Sequence, residues 1–182
     1  MPRIKIPSRD KAPTASQPML DAVEKQIGFL PNVHKLLSIS PNVLAGFLGL
    51  QREMSKTLDV KTRDAIALAV SEADGCEYCL AAHSYFAANL AKLTPEEIAL
   101  NRQGKSGDPK RAAAVQFARR LIESRGKVED GDLAYCRSVG FRDAEIIEMI
   151  ALSAQYLLTN FMNNVAATEI DFPGYEARGR AE

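Results

Sequence analysis

The chain has no excess of either charge: Lys plus Arg and Asp plus Glu each number 23 in 182 residues. A surface without a net sign has no field to gather nucleic acid or anionic lipid, so neither is expected as a partner. Cysteine is scarce, three residues in all, too few and too unevenly placed for a secreted disulfide framework. The N-terminus MPRIKIPSRDKAP lacks the apolar core of a signal peptide. No apolar run approaches the roughly 18 to 20 residues of a membrane span. These absences predict a soluble protein of the reducing cytoplasm. Sustained period-two alternation of Val, Ile and Thr is also missing, which argues against a sheet and predicts an all-α class of about seven to nine helices.

What remains reads as one helical domain between two irregular ends. Pro2, Pro7, Pro13 and Pro18 punctuate residues 1–18, predicting an extended N-terminal arm, disordered or lying across a neighbouring subunit. Residues 19–173 form the domain, and 174–182 a flexible tail. Within the domain, Ser40-Pro41, Asp59, Thr94-Pro95-Glu96-Glu97 and Asp108-Pro109 are helix-start signals, and Gly126 and Gly140 are stops. The segment Ala65 to Val70 is apolar on every side, as in a helix buried all round. The motif helix is predicted to run to about Leu93, and a long last helix from about Arg142 to Thr168. A faint echo links Ile66-Ala67-Leu68-Ala69-Val70-Ser71 with Ile150-Ala151-Leu152-Ser153-Ala154. It is weak as a repeat, but the small residues allow both helices to pack closely.

The chemistry concentrates in Gly75-Cys76-Glu77-Tyr78-Cys79-Leu80-Ala81-Ala82-His83, a helix break followed by C-x-x-C-x-x-x-H. At about 100° per residue, Cys76, Cys79 and His83 fall within an arc of about 60°. Thiols in a first helical turn meet unpaired N–H groups and the positive end of the dipole, so a lowered thiol pKa is expected. In a reducing compartment, two cysteines so spaced favour redox catalysis. A thiolate attacks a peroxide to give a sulfenic acid, and the second thiol displaces water to leave a disulfide. Cys79, nearer His83 as general base, is the expected nucleophile, and Cys76 the resolving partner. Two other readings stay open. Cys76, Cys79 and His83 could serve a redox- or metal-responsive binding protein without turnover, with zinc as the metal, although the chain has no second C-x-x-C and no H-x-x-x-H to close the site. They could equally be buried thiols beside a core histidine. Haem attachment is disfavoured, because Leu80 stands where C-x-x-C-H needs His.

The pattern Glu72-x-x-x-Cys76-x-Tyr78-Cys79-x-x-x-His83, preceded by Arg63-Asp64-Ala65-Ile66-Ala67-Leu68-Ala69-Val70-Ser71, resembles the alkylhydroperoxidase D branch of the carboxymuconolactone decarboxylase-like superfamily. The nearest likeness is to its uncharacterised peroxidase-related enzymes. The resemblance runs from Gly28-Phe29-Leu30-Pro31-Asn32 to Asp171-Phe172-Pro173. It implies a multi-helix AhpD-like fold, assembly as trimers or dimers of trimers, and a thiol-dependent peroxidase of peroxiredoxin-type activity. It further implies a small hydroperoxide substrate, a thiol or lipoyl electron donor, and no cofactor or metal. The roles it implies are peroxidatic for Cys79, resolving for Cys76, and proton relay for His83 and Asp64. Asp64 stands where the family has Glu, one methylene longer; Tyr78 where the characterised hydroperoxidase has His; Asn164 where close relatives commonly have His.

Glu72 competes with Asp64 for the relay. A carboxylate in a helix's last turn opposes the dipole by roughly 0.3 to 1 kcal/mol, a discomfort that function would explain. Cys136 is expected as a small buried hydrophobe, His34 as structural, and Tyr78 as a pocket wall.

Overall fold

Proline and short polar caps decide where the helices begin. The structure, a computed structural model, describes residues 2–173, so the expected tail at 174–182 lies outside the described residues. A 3-10 turn at Arg9–Lys11 precedes α1 (Gln17–Ile27), α2 (Asn32–Leu37) and α3 (Pro41–Met54). Then come α4 (Val60–Ala73), α5 (Glu77–Asn89), α6 (Pro95–Arg102), α7 (Pro109–Glu123), α8 (Asp130–Ser138) and α9 (Asp143–Ala166). No strand occurs among the described residues, and the fold is all-α. Asp59, Thr94 and Asp108 each accept the backbone N–H three residues on, capping α4, α6 and α7.

Helix α4 is the axis of the fold. Ala65 through Ser71 are fully buried, and α5, α6, α7 and α9 pack around it. Small side chains allow this, because Ala and Ser let neighbouring backbones approach closely. One core cluster joins α4, α7, α8 and α9 through Ile66, Val70, Phe117, Met149 and Leu152 and includes the buried Cys136. A second joins Leu20, Leu37, Leu44 and Phe47 to the C-x-x-C segment and Phe172.

Three details depart from the sequence reading. The N-terminal segment lies on its own domain: the Arg3 N–H donates to the Ala166 carbonyl at 2.7 Å, Arg9 pairs with Asp21 at 2.5 Å, and Ala12 is buried. Helix α1 opens at Gln17, inside the stretch read as an arm. The motif helix stops at Asn89 instead of Leu93, with Lys92 in the left-handed region at φ 57°.

The α4–α5 junction sets up the site. Gly75 has φ 67°; its N–H donates to the Glu72 carbonyl at 3.3 Å, and the Cys76 N–H to the Ser71 carbonyl at 3.0 Å. That pair of bonds is a Schellman ending, which needs a left-handed residue. Gly75→Ala is therefore expected to cost about 1–2 kcal/mol, read as a lower denaturation midpoint in urea at unchanged slope.

His34 is buried, 6 % exposed, and its Nδ1 has no partner. Burial pushes its pKa down to about 4 from 6.5. The unfolded chain thus binds a proton that the folded chain refuses between pH 6.5 and 4, and stability is lost as pH falls through that window. His34→Gln should remove about 3 kcal/mol of this acid sensitivity, measured by denaturant melts at pH 7 and pH 4.

Candidate active site

Cys76 serves two helices at once. It is the residue after Gly75 in the α4 ending and also the N-cap of α5, where its Sγ accepts the Cys79 N–H at 3.3 Å. The same turn brings the two sulfurs to 2.6 Å. Both cysteines are free thiols, and little backbone movement separates this arrangement from a disulfide. The predicted convergence of the sulfurs is present.

The predicted lowering of the thiol pKa is not found at Cys79. Burial raises that thiol well above its ordinary value, the hydrogen bond and charge of Cys76 add to the rise, and a hydrogen bond from Asn163 opposes it. The dipole argument fails because it assumes a solvated first turn, whereas Cys79 is 3 % exposed and Cys76 is fully buried.

The segment after α9 packs into the same core cluster as the thiols. Phe172 packs with its ring 5.7 Å from Tyr78, 5.5 Å from Phe86, 5.8 Å from Tyr85 and 5.4 Å from Phe29. Tyr78, between the two cysteines, accepts the Val33 N–H at 3.1 Å and donates to Asp171 Oδ1 at 2.8 Å. Asp171 Oδ2 accepts the Asn32 N–H at 2.7 Å. Tyr78 is therefore more than a wall: it ties Asp171 and the start of α2 to the turn that carries the dithiol.

His83 lies one turn beyond Cys79 on α5, but its ring meets Tyr156 of α9 edge-on, with centroids 5.0 Å apart. Its Nδ1 is buried without a partner, and burial pushes its pKa down to about 4. Among the described residues no hydrogen bond joins His83 to either sulfur. Asp64, near the start of α4, is pushed up to about 7 by burial, with Arg63 opposing. Its charge in turn helps burial to raise the Tyr156 hydroxyl. Asp64, Tyr156 and His83 thus form a second group, linked to the thiols by the single helical turn from Cys79 to His83. Glu72 is engaged elsewhere: Arg102 of α6 donates to it at 2.7 Å, which explains how a carboxylate is tolerated at the end of α4. Among the described residues no three His, Cys, Asp or Glu side chains form a group able to hold a metal ion.

Helix α9 supplies what the sequence reading missed. Asn163 Nδ2 donates to Cys79 Sγ at 3.3 Å, and Asn160 Oδ1 accepts from Ser71 Oγ at 3.4 Å. Asn164, singled out as a departure, donates to the Asp74 carbonyl and carboxylate at 3.4 Å. Three asparagines in Asn160-Phe161-Met162-Asn163-Asn164 of a mostly apolar helix were a legible signal, since buried amides require partners.

No helix of the described residues is long and apolar enough to cross a membrane. The fold is shared with solved structures. The alkylhydroperoxidase AhpD core structure of an uncharacterized peroxidase-related protein from Ralstonia eutropha JMP134 superposes with TM-score 0.82, at 23 % identity, over 93 % of this chain and 92 % of that one. An uncharacterized peroxidase-related protein from Silicibacter sp. TM1040 gives 0.81 at 22 % identity, over 92 % and 91 %. The debrominase Bmp8 gives 0.77 at 22 % identity, over 93 % and 92 %. No curated protein matches the sequence. Residues 41–120, from α3 through the dithiol to α7, match the carboxymuconolactone decarboxylase family, and the helices around them complete the fold of the alkylhydroperoxidase AhpD core.

Proposed function

We propose that the protein is a thiol-dependent hydroperoxide reductase, and that its oxidised form carries a Cys76–Cys79 disulfide. The observation that carries this reading is the 2.6 Å approach of two free sulfurs at a helix start. The Cys79 thiolate attacks the terminal oxygen of R–O–O–H. The O–O bond breaks, Cys79 becomes a sulfenic acid, and the alkoxide leaves as alcohol after taking a proton. The Cys76 thiolate then attacks the Cys79 sulfur, hydroxide leaves as water, and the disulfide forms. An external dithiol, of thiol or lipoyl type, returns the two electrons. Opening rehydrates the site and relieves the burial that holds His83 down and Cys79 up, so that His83 then takes the Cys79 proton, with Asp64 as the acid behind it. Glu72 holds its ion pair with Arg102.

The active form in this reading is a homo-oligomer working in the cytoplasm. The support for an oligomer is an apolar face along α9, where Ile147, Ile150, Leu158, Phe161 and Val165 are exposed at helical spacing. Sedimentation velocity is expected to show an assembly larger than a monomer.

The activity is tested by stopped-flow oxidation of the pre-reduced protein with cumene hydroperoxide and, in parallel, a polybrominated pyrrole, the class of ligand bound by a Bmp8 variant. Stoichiometric thiol loss with the hydroperoxide alone is expected. Loss with the pyrrole alone overturns the peroxide reading.

A further inference from the structure

We infer that Asn163 is a catalytic residue of the dithiol site: its Nδ2–H steadies the Cys79 thiolate while its Oδ1 receives the O–H of an incoming hydroperoxide. This rests on the peroxide reading and adds the residue that orients the substrate. Asn163 is 3 % exposed on α9, facing α5 across the core. Its Nδ2 reaches Cys79 Sγ at 3.3 Å. The other half of the same amide, Oδ1, is buried and has no hydrogen-bond partner.

An amide donor beside a sulfur in a dry site favours the anion over the thiol. At Cys79 it is the one influence that opposes burial and the neighbouring Cys76. The orphaned oxygen is the second, independent observation, because a buried acceptor without a partner is costly and native structures avoid it. A hydroperoxide has one donor, the O–H on its terminal oxygen, and that oxygen is the atom the sulfur must attack. With its O–H directed at Oδ1, the terminal oxygen lies beside the sulfur that Nδ2 holds, which is the placement a near-attack geometry requires. Attack then forms the S–O bond and breaks the O–O bond, the O–H proton stays with the sulfenic acid, and the alkoxide departs to be protonated. Ser, Thr or an apolar residue at this position could not offer a donor and an orphaned acceptor on one rigid plane.

The test compares Asn163→Ala and the isosteric Asn163→Asp with the unsubstituted full chain in two reactions. The first is alkylation of Cys79 by iodoacetamide, followed by mass spectrometry from pH 7 to 11. The second is oxidation by cumene hydroperoxide. Both variants are expected to move the alkylation midpoint up by about one pH unit, a roughly tenfold loss of thiolate at fixed pH. The Ala variant should lose at least about tenfold more in the peroxide reaction than in alkylation, because it also lacks Oδ1. An unmoved midpoint, or equal losses in the two reactions, overturns the inference. If the Ala variant does not fold, the midpoint of the Asp variant decides. If the unsubstituted protein consumes no hydroperoxide, the function proposed above fails, and the midpoint alone decides whether Asn163 supports the thiolate.

Discussion

Cys79→Ser is expected to abolish hydroperoxide reduction, lowering the rate by on the order of 10³-fold or more, because it removes the nucleophile and Cys76 is assigned only the resolving step. Cys136 is fully buried in the other core cluster, and its thiol is raised to about 11 by burial. Cys76→Ser should behave differently. It leaves the nucleophile in place and removes the partner 2.6 Å away, so the first turnover proceeds and the reaction stops at a sulfenic acid. Single-turnover kinetics with a sulfenate-trapping reagent separate the two variants. Trapping at Cys76 in the Cys79→Ser variant, with the rate preserved, would reverse the assignment of roles.

The second large effect concerns access. Phe172 packs among Phe29, Tyr78, Tyr85 and Phe86, and both buried cysteines belong to the same core cluster. Thiol chemistry therefore requires a local opening, release of this segment is the one expected here, and the rate follows its free energy. Phe172→Ala removes a buried aromatic ring, a change that costs about 3–5 kcal/mol in a typical core. Even the lower figure, if confined to the opening step, raises the open population by about 10²-fold. Alkylation of Cys76 and Cys79 in the reduced variant should accelerate by that factor, while Cys136 stays protected. An unchanged rate would show that reagents reach the dithiol by another route. Tyr78→Phe should act in the same direction and more weakly. It keeps the ring but leaves the Val33 N–H without its acceptor and Asp171 Oδ1 without its donor, while Oδ2 keeps the Asn32 N–H.

Much of this arrangement is legible in the sequence. Local chemistry fixed the helix starts, since Asp59, Thr94 and Asp108 cap in place, by contacts three residues away. The apolar run in α4 announced a central helix, and α9, which shares its Ala and Ser content, does pack against it. The pairing of Cys76 with Cys79 is likewise a matter of three residues and one turn.

What local reasoning could not supply is the environment of that turn. The lowered thiol pKa is expected because the first turn of a helix is electropositive, but the sign at Cys79 is set by burial in a core cluster that includes Phe172, some 90 residues away in sequence. The orientation of His83 depends in the same way on Tyr156, and the protonation of Asp64 on the desolvation of the α4 start. Glu72 shows the reverse: its uncomfortable position against the dipole suggested function, and a long-range partner, Arg102, relieves it.

The central claim is that Cys76 and Cys79 act as one redox unit. It is tested most directly by treating the fully reduced protein with one equivalent of hydroperoxide, blocking the remaining thiols, and weighing the peptide that contains both cysteines. The account predicts a loss of two hydrogens from that peptide, reversed by a dithiol, with Cys136 recovered as the blocked thiol. Recovery of both motif cysteines as blocked thiols, after the peroxide has been consumed, would contradict it.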